Sequence, residues 1–165
     1  MANSNAEHVV DKMPMNFMHV GVIALALPNA KIIHCTRNPM DNCLSIFKNH
    51  LPASGHQYST RLKTLGRYYI GYQKLMQHWQ SVCNNSVFEI EYDSLVKNPE
   101  KETRALLATC GLPFEKACLT PHRTKRRVST LSAVQVREPI HKKSMGKWRK
   151  YEAHLKELQN EIYSK

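Results

Sequence analysis

The sequence predicts an α/β fold with a parallel sheet, and three features of the 165-residue chain support this class. Residues 31–47 combine a short β-branched run, a tight turn and an amphipathic helical pattern. Residues 87–91 form a second strand-like run after a long helical stretch. Helices and strands therefore alternate along the chain, which is typical of crossover units that join parallel strands.

The start of the chain is interpreted as an extension over residues 1–10, followed by a single domain over residues 11–165. A helix is predicted before the first strand, ending at Pro28. The apolar run 20–27 is far too short to span a membrane. Because no signal peptide pattern is visible, a cytoplasmic protein is predicted. The helical spacing is carried by Phe17, Val20, Ala24 and Leu27.

The strand, turn and helix of residues 31–47 are the most informative stretch. Asn38 is predicted to cap the helix, with Pro39 at the first helical position and Asp41 at the third, a variant of the capping box. Arg37 then lies at the carboxyl end of the strand, where ligands bind in open α/β sheets. The inward face of the helix is predicted to carry Met40, Cys43, Leu44 and Phe47.

Arg37 and Ser45 indicate an anion site at this strand end. A guanidinium offers a planar fork of donors and a serine hydroxyl adds one short donor, a combination that suits a phosphate. The alternative is an ordinary strand-to-helix turn with an exposed arginine.

The second half of the chain is predicted to hold a long amphipathic helix, a strand and two further helices. The apolar face of the helix at 62–79 is expected to pack on a sheet rather than form a coiled-coil seam. After the strand, Asn98 starts a helix that Gly111 closes. Residues 121–147 show no periodicity. The final helix is predicted to bury Trp148, Tyr151, Leu155, Leu158 and Ile162.

The charge is unevenly placed. Residues 121–150 hold ten Lys or Arg against Glu138, which accounts for most of the net charge of +11. Such a segment favours an anion, whether nucleic acid, an acidic lipid surface or a polyphosphate. The five cysteines are odd in number and form no CxxC pair, which indicates reduced core thiols. The histidines show no metal-ligand spacing, so no metal is predicted.

A series of short motifs carries a family resemblance. In chain order they are DKMP at 11–14, PNAKIIHCTRNP at 28–39 with Ser45, EYDSLV at 91–96 with NPE at 98–100, SAVQVR at 132–137 and GKW at 146–148. Over nearly the whole chain they resemble the sulfotransferases that use 3′-phosphoadenosine 5′-phosphosulfate (PAPS). The branch is that of tetratricopeptide-repeat sulfotransferases and, more distantly, protein-tyrosine sulfotransferases. The resemblance implies a three-layer parallel-sheet fold of the P-loop NTPase type.

The resemblance also implies site residues. Lys12 would face the transferring sulfuryl group, and Ser132 would lie near the phosphates; these are the catalytic positions. The positions that bind the nucleotide would be Arg37 and Ser45 on the 3′-phosphate, with Tyr92 and Lys147. From the residues alone, Lys12 is also compatible with a surface lysine, Tyr92 with a packing tyrosine and Ser132 with an ordinary loop hydroxyl.

The chain departs from the family at its start. Family members begin with a strand and a phosphosulfate-binding loop, and none of the six glycines lies in such a loop. The domain is therefore expected to be incomplete at the N-terminus and to hold the 3′-phosphate half of the site. A missing central strand exposes the edge of its neighbour. A homo-oligomer, or a partner that supplies the strand, is the expected remedy.

The implied function is transfer of a sulfuryl group from PAPS to an acceptor hydroxyl, with no base and no acceptor assigned. One alternative is an inactive module that binds the product adenosine 3′,5′-bisphosphate (PAP). A nucleic-acid-binding domain on residues 121–150 is disfavoured, because single-strand binders interleave aromatic stacking platforms with basic residues.

Overall fold

The computed structural model describes residues 7–49, 55–83, 86–123 and 137–164. The α-helices in these ranges are α1 (Val20–Ala26), α2 (Pro39–Lys48), α3 (Leu62–Val82), α4 (Tyr92–Lys97), α5 (Pro99–Thr109) and α6 (Lys156–Tyr163). The strands are β1 (Ile32–Thr36) and β2 (Val87–Glu91). The 3₁₀ helices are Pro14–Met18, Gln57–Thr60, Lys116–Leu119, Pro121–Arg123, Lys142–Ser144 and Lys147–His154. No helix in the described ranges is long and apolar enough to cross a membrane.

The two strands pair in parallel, with Ile32 opposite Val87 and Thr36 opposite Glu91. A tight turn cannot join parallel strands, and the chain crosses from one to the other through α2 and α3. The predicted α/β class and both predicted strands are confirmed. Since the strands point the same way, the residues that follow them leave the sheet at the same edge.

Helices contact both faces of the strand pair, because successive side chains of a strand point to opposite faces. On one face Glu89 accepts a hydrogen bond from Gln80 of α3 at 3.0 Å. On the other face Ile90 lines a small cavity together with Leu106 of α5.

The main core lies between α2, α3 and the C-terminal residues rather than on the sheet. The prediction that the apolar face of α3 packs on a sheet is therefore wrong for the first half of the helix, which packs on α6. Gly66 allows the close approach, because a Cβ there would lie 2.6 Å from the Cβ of Glu161. Further along α3, Tyr72 and Gln80 hydrogen-bond residues of the strands. The buried cluster comprises Met40, Cys43, Leu44, Leu65, Tyr69, Leu155, Leu158 and Ile162.

The start of α2 is capped as predicted. Asn38 Oδ1 accepts the N–H groups of Met40 and Asp41, both at 3.1 Å, which satisfies two donors of the first turn. The Asn38 half of the predicted capping box is therefore confirmed, but the return bond from Asp41 is wrong, because its carboxylate accepts hydrogen bonds from the distant residues 146 and 148. Phe47 is 41% exposed on the last turn of α2, and Ile46 packs against the core in its place.

The predicted final helix is divided into the 3₁₀ helix Lys147–His154 and α6. Its later apolar positions are buried as predicted, but Tyr151 is 40% exposed. The winding changes from about 3.0 to 3.6 residues per turn between the two helices. One apolar face therefore does not run through both.

The other helix signals are confirmed in part. The predicted N-terminal helix is divided into Pro14–Met18 and α1. Asn98 precedes α5, although its side chain makes no capping bond. Gly111 closes α5 with a φ of +70°, a left-handed conformation that glycine adopts without a Cβ clash.

All five cysteines are free thiols. Burial raises the pKa of the Cys43 thiol to about 12, so this thiol stays protonated in the core. Cys35 and Cys118 are exposed, which corrects the interpretation of every cysteine as a core thiol.

Candidate functional site

The carboxyl ends of β1 and β2 place Arg37 and Tyr92 side by side. Arg37 follows the last residue of β1, and Tyr92 is the first residue after β2. The guanidinium carbon of Arg37 lies 5.0 Å from the centre of the Tyr92 ring, within the range of a cation–π contact. Parallel pairing thus explains why residues that are distant in sequence meet at this edge.

A cleft of about 150 Å³ opens beside Arg37. It brings together Arg37, Ser45 and Lys147, three of the four residues predicted to bind the nucleotide. Its lining residues are Arg37, Asp41, Leu44, Ser45, Lys48, Asn49, Ser144 and Lys147. The fourth, Tyr92, contacts the cleft residue Arg37.

One face of α2 supplies much of the cleft. Asp41, Ser45 and Lys48 recur at i, i+4 and i+7, the spacing that aligns side chains along one side of a helix. Lys48 was not predicted from the sequence, although its spacing of three residues from Ser45 indicates the same side of the helix. The Lys48 ammonium lies 5.5 Å from the centre of the Tyr151 ring.

The cleft is electropositive. Arg37, Lys48 and Lys147 bring three cationic side chains, against the single carboxylate of Asp41 among the lining residues. Both oxygens of that carboxylate accept backbone N–H groups, so they are already hydrogen-bonded. A concave surface with such a balance attracts anions.

The Arg37 guanidinium is only partly hydrogen-bonded within the described residues. Its Nη2 donates to the backbone carbonyl of Ser144, which ties the guanidinium to the C-terminal part of the chain. Its Nε is buried and has no hydrogen-bond partner in the described part of the chain. A buried unpaired donor carries a free-energy cost of about 1–3 kcal/mol.

The two predicted catalytic residues are not part of this cleft. Lys12 is exposed and is not among the lining residues. Ser132 lies outside the described residues. The cleft therefore gathers groups that are able to bind an anion, and both the binding and the catalytic assignments stay predictions.

A second polar group lies between β1 and α3. His34 Nε2 hydrogen-bonds the Tyr72 hydroxyl, and Nδ1 lies 3.6 Å from a Glu89 oxygen. Burial lowers the pKa of His34, while the nearby Glu89 opposes this shift. Burial, with a smaller contribution from Glu89, raises the pKa of Tyr72 to about 12. At neutral pH both rings are neutral, and the pair links the strand to the helix.

No group of three or more His, Cys, Asp or Glu in the described ranges is arranged to hold a metal ion.

Comparisons with known proteins place the chain in a family. The sequence model of the sulfotransferase family matches residues 1–116, which include β1, β2, Arg37, Ser45 and Tyr92. An uncharacterized protein of Aquifex aeolicus (strain VF5) is 37% identical over 159 residues. The match covers 94% of this chain and 21% of that relative, so the chain spans about a fifth of the relative's length. The residues that build the strand ends and the adjoining helix thus lie inside the matched region, and the chain belongs to the sulfotransferase family.

Proposed function

We propose that the cleft binds the 3′-phosphate of PAPS or PAP, and that the chain takes part in sulfuryl transfer to an acceptor hydroxyl. The observation that carries this proposal is that Arg37, Ser45 and Lys147 line one electropositive cleft. These residues come from a strand end, an α-helix and the start of a 3₁₀ helix, so their convergence is a property of the fold. Family membership supports the reaction class.

Each binding residue has a distinct part in this proposal. Arg37 supplies a fork of donors and Tyr92 holds the guanidinium in place. Ser45 adds a short donor, and Lys147 adds positive charge with Lys48. The bound donor supplies the sulfuryl group. Cationic and hydroxyl groups held in position stabilise the charge that develops during such a transfer. Lys12 and Ser132 are the proposed catalytic residues.

An inactive PAP-binding module is the second candidate. Its support is that the described cleft gathers binding residues, whereas Lys12 is exposed and outside the lining. A sulfate-transfer assay run beside the binding measurement separates the two: turnover supports the enzyme, and binding without turnover supports the module. We infer the tetratricopeptide-repeat or protein-tyrosine branch from the motif series.

The proposed 3′-phosphate site predicts a specific preference among nucleotides. We expect PAP to bind roughly ten- to a hundredfold more tightly than 5′-AMP, because the 3′-phosphate adds charge-assisted hydrogen bonds of about 1.5–3 kcal/mol. Isothermal titration calorimetry of both nucleotides measures this ratio. Equal affinity for the two contradicts the proposal. Tighter binding of any oligonucleotide, with a steep dependence on salt, favours a nucleic-acid binder instead.

We also propose that the β1–β2 pair belongs to a larger three-layer sheet of the P-loop type. Helices on both faces support this, and the described ranges contribute two strands to the sheet. Two strands alone are marginal, and exposed strand edges invite pairing. Large apolar side chains are exposed nearby in sequence: Val9, Val10, Met13, Met18, Val22, Leu25 and Leu27.

Self-association is the expected consequence of a two-stranded pair and these exposed apolar side chains in the described residues. Sedimentation velocity across a concentration series is expected to show a dimer or larger species that dissociates on dilution. A chain that remains monomeric at every concentration contradicts this expectation. Leu25→Glu is expected to weaken self-association, because it places a charge on a side chain that is 86% exposed.

A further inference from the structure

Two side chains, Arg37 just before α2 and Asp41 in its first turn, hold residues 144–148, which we name the closing segment. Arg37 Nη2 donates to the Ser144 carbonyl. One Asp41 oxygen accepts the Gly146 N–H at 2.6 Å, and the other accepts the Trp148 N–H at 2.9 Å. The two N–H groups that Asp41 binds lie on either side of Lys147, whose side chain lines the cleft.

We propose that Asp41 is a positioning residue that places Lys147 in the cleft beside Arg37 and Ser45. The carboxylate hydrogen-bonds the backbone on both sides of Lys147 and so fixes the position of the Lys147 Cα atom. This inference rests on the proposed phosphate site. It assigns the Asp41 carboxylate an indirect part in phosphate binding, through the position of Lys147.

The chemistry at Asp41 is specific to a carboxylate. Its side chain is buried, with the residue 2% exposed. An ionised carboxylate only accepts hydrogen bonds, and here each oxygen meets one N–H donor. An asparagine at this position would present its own NH₂ group to one of the two N–H groups. Charge-assisted bonds of this kind are also stronger than neutral ones. Asp41→Asn therefore disrupts one of the two hydrogen bonds to the closing segment while keeping the size and shape of the side chain.

Gly146 completes the arrangement. It lies at a φ of +65°, in the left-handed region where glycine is unstrained. Space is open around the position where a Cβ would be, so a substitution there acts through backbone conformation rather than through a clash. Gly146→Val is expected to weaken the docking of the closing segment. Gly146→Asn is expected to preserve it, because asparagine tolerates this conformation.

The direction in which Asp41→Asn changes PAP affinity separates a positioning role of Asp41 from a direct electrostatic effect of its charge. If the Asp41 charge acted on the bound phosphate directly, its removal would relieve a repulsion and strengthen PAP binding. If Asp41 positions Lys147, its removal weakens binding. The two accounts predict opposite signs for the same Asp41→Asn variant.

The test combines Asp41→Asn, Lys147→Ala and the double variant with PAP calorimetry on the full chain. We expect each single change to weaken PAP binding by about tenfold, and the double variant to bind about as weakly as Lys147→Ala. Glu100→Gln makes the same change in net charge at an exposed ion pair with Arg104, and is expected to bind like the wild type. Tighter binding by Asp41→Asn, or losses that add in the double variant, overturns the inference.

A second measurement does not depend on the nucleotide. Hydrogen exchange by NMR reports directly on the Gly146 and Trp148 amides. Asp41→Asn is expected to accelerate exchange at both, and Gly146→Val is expected to do so if Asp41→Asn fails to fold. Unchanged exchange overturns the inference even where PAP binds tightly. If the wild type binds no PAP, the proposed function fails, and slow exchange that requires Asp41 still supports the docking role.

Discussion

The Arg37→Ala variant is expected to bind PAP roughly ten- to a hundredfold more weakly than the wild type, since a hydrogen bond to a charged group contributes about 1.5–3 kcal/mol. The guanidinium lines the cleft, contacts Tyr92 and donates to Ser144. Its loss therefore removes a hydrogen-bond donor to the proposed phosphate and one contact that holds the closing segment. Calorimetry measures the affinity, and thermal unfolding reports whether the fold is retained.

The chain offers a matched control for this variant in Arg104. Its guanidinium carbon lies 3.6 Å from the centre of the Phe114 ring, so it makes the same kind of contact with an aromatic side chain, away from the cleft. Arg104→Ala is expected to leave PAP affinity unchanged. Arg37→Lys keeps the charge without the fork and is expected to recover part of the affinity. If Arg37→Ala binds PAP as the wild type does, the site assignment is wrong.

Local signals predicted the strand ends and the start of α2 correctly. Asn38 caps the helix as its neighbour Pro39 indicated, because capping depends on residues adjacent in sequence. The carboxyl-end rule likewise placed Arg37 at the edge of the sheet where Tyr92 also lies. Both inferences need only the direction of a strand and the spacing of nearby residues.

The hydrogen-bond partners of Asp41 could not be predicted from neighbouring residues. Its position at the third residue of α2 favoured a bond to the nearby cap, yet its partners are Gly146 and Trp148. Pairing across so long a separation follows from tertiary packing, which no spacing rule encodes. The long 3₁₀ helix that begins at Lys147 was also not predicted. The spacing of the apolar residues fits the α-helical period, whereas the observed winding is tighter.

The buried core around α6 supports the closing segment. Leu155 is buried directly after the 3₁₀ helix, and α6 then packs on α3. The helix α2, which carries the cleft, buries Met40 and Leu44 in the same cluster. The cleft and the segment that closes it therefore rest on one core, and damage to that core is expected to affect both.

Leu158→Ala is expected to lower the free energy of unfolding by about 2–5 kcal/mol, the range for removing a buried leucine and leaving a cavity. Leu158 is 0% exposed and lies in a cluster with Leu65, which is also 0% exposed. Since domains of this kind are stable by about 5–15 kcal/mol, the loss is a large share of the total. Urea unfolding measures it.

Val82→Ala is the control for Leu158→Ala, because it removes apolar atoms from a side chain that is 51% exposed and lies outside the N-terminal apolar residues proposed to self-associate. Its effect on the free energy of unfolding is expected to stay within about 0.5 kcal/mol. Comparable losses in the two variants contradict the placement of the core under α6. A large loss in Leu158→Ala alone, with PAP affinity reduced at temperatures where the variant remains folded, indicates that the cleft depends on this core.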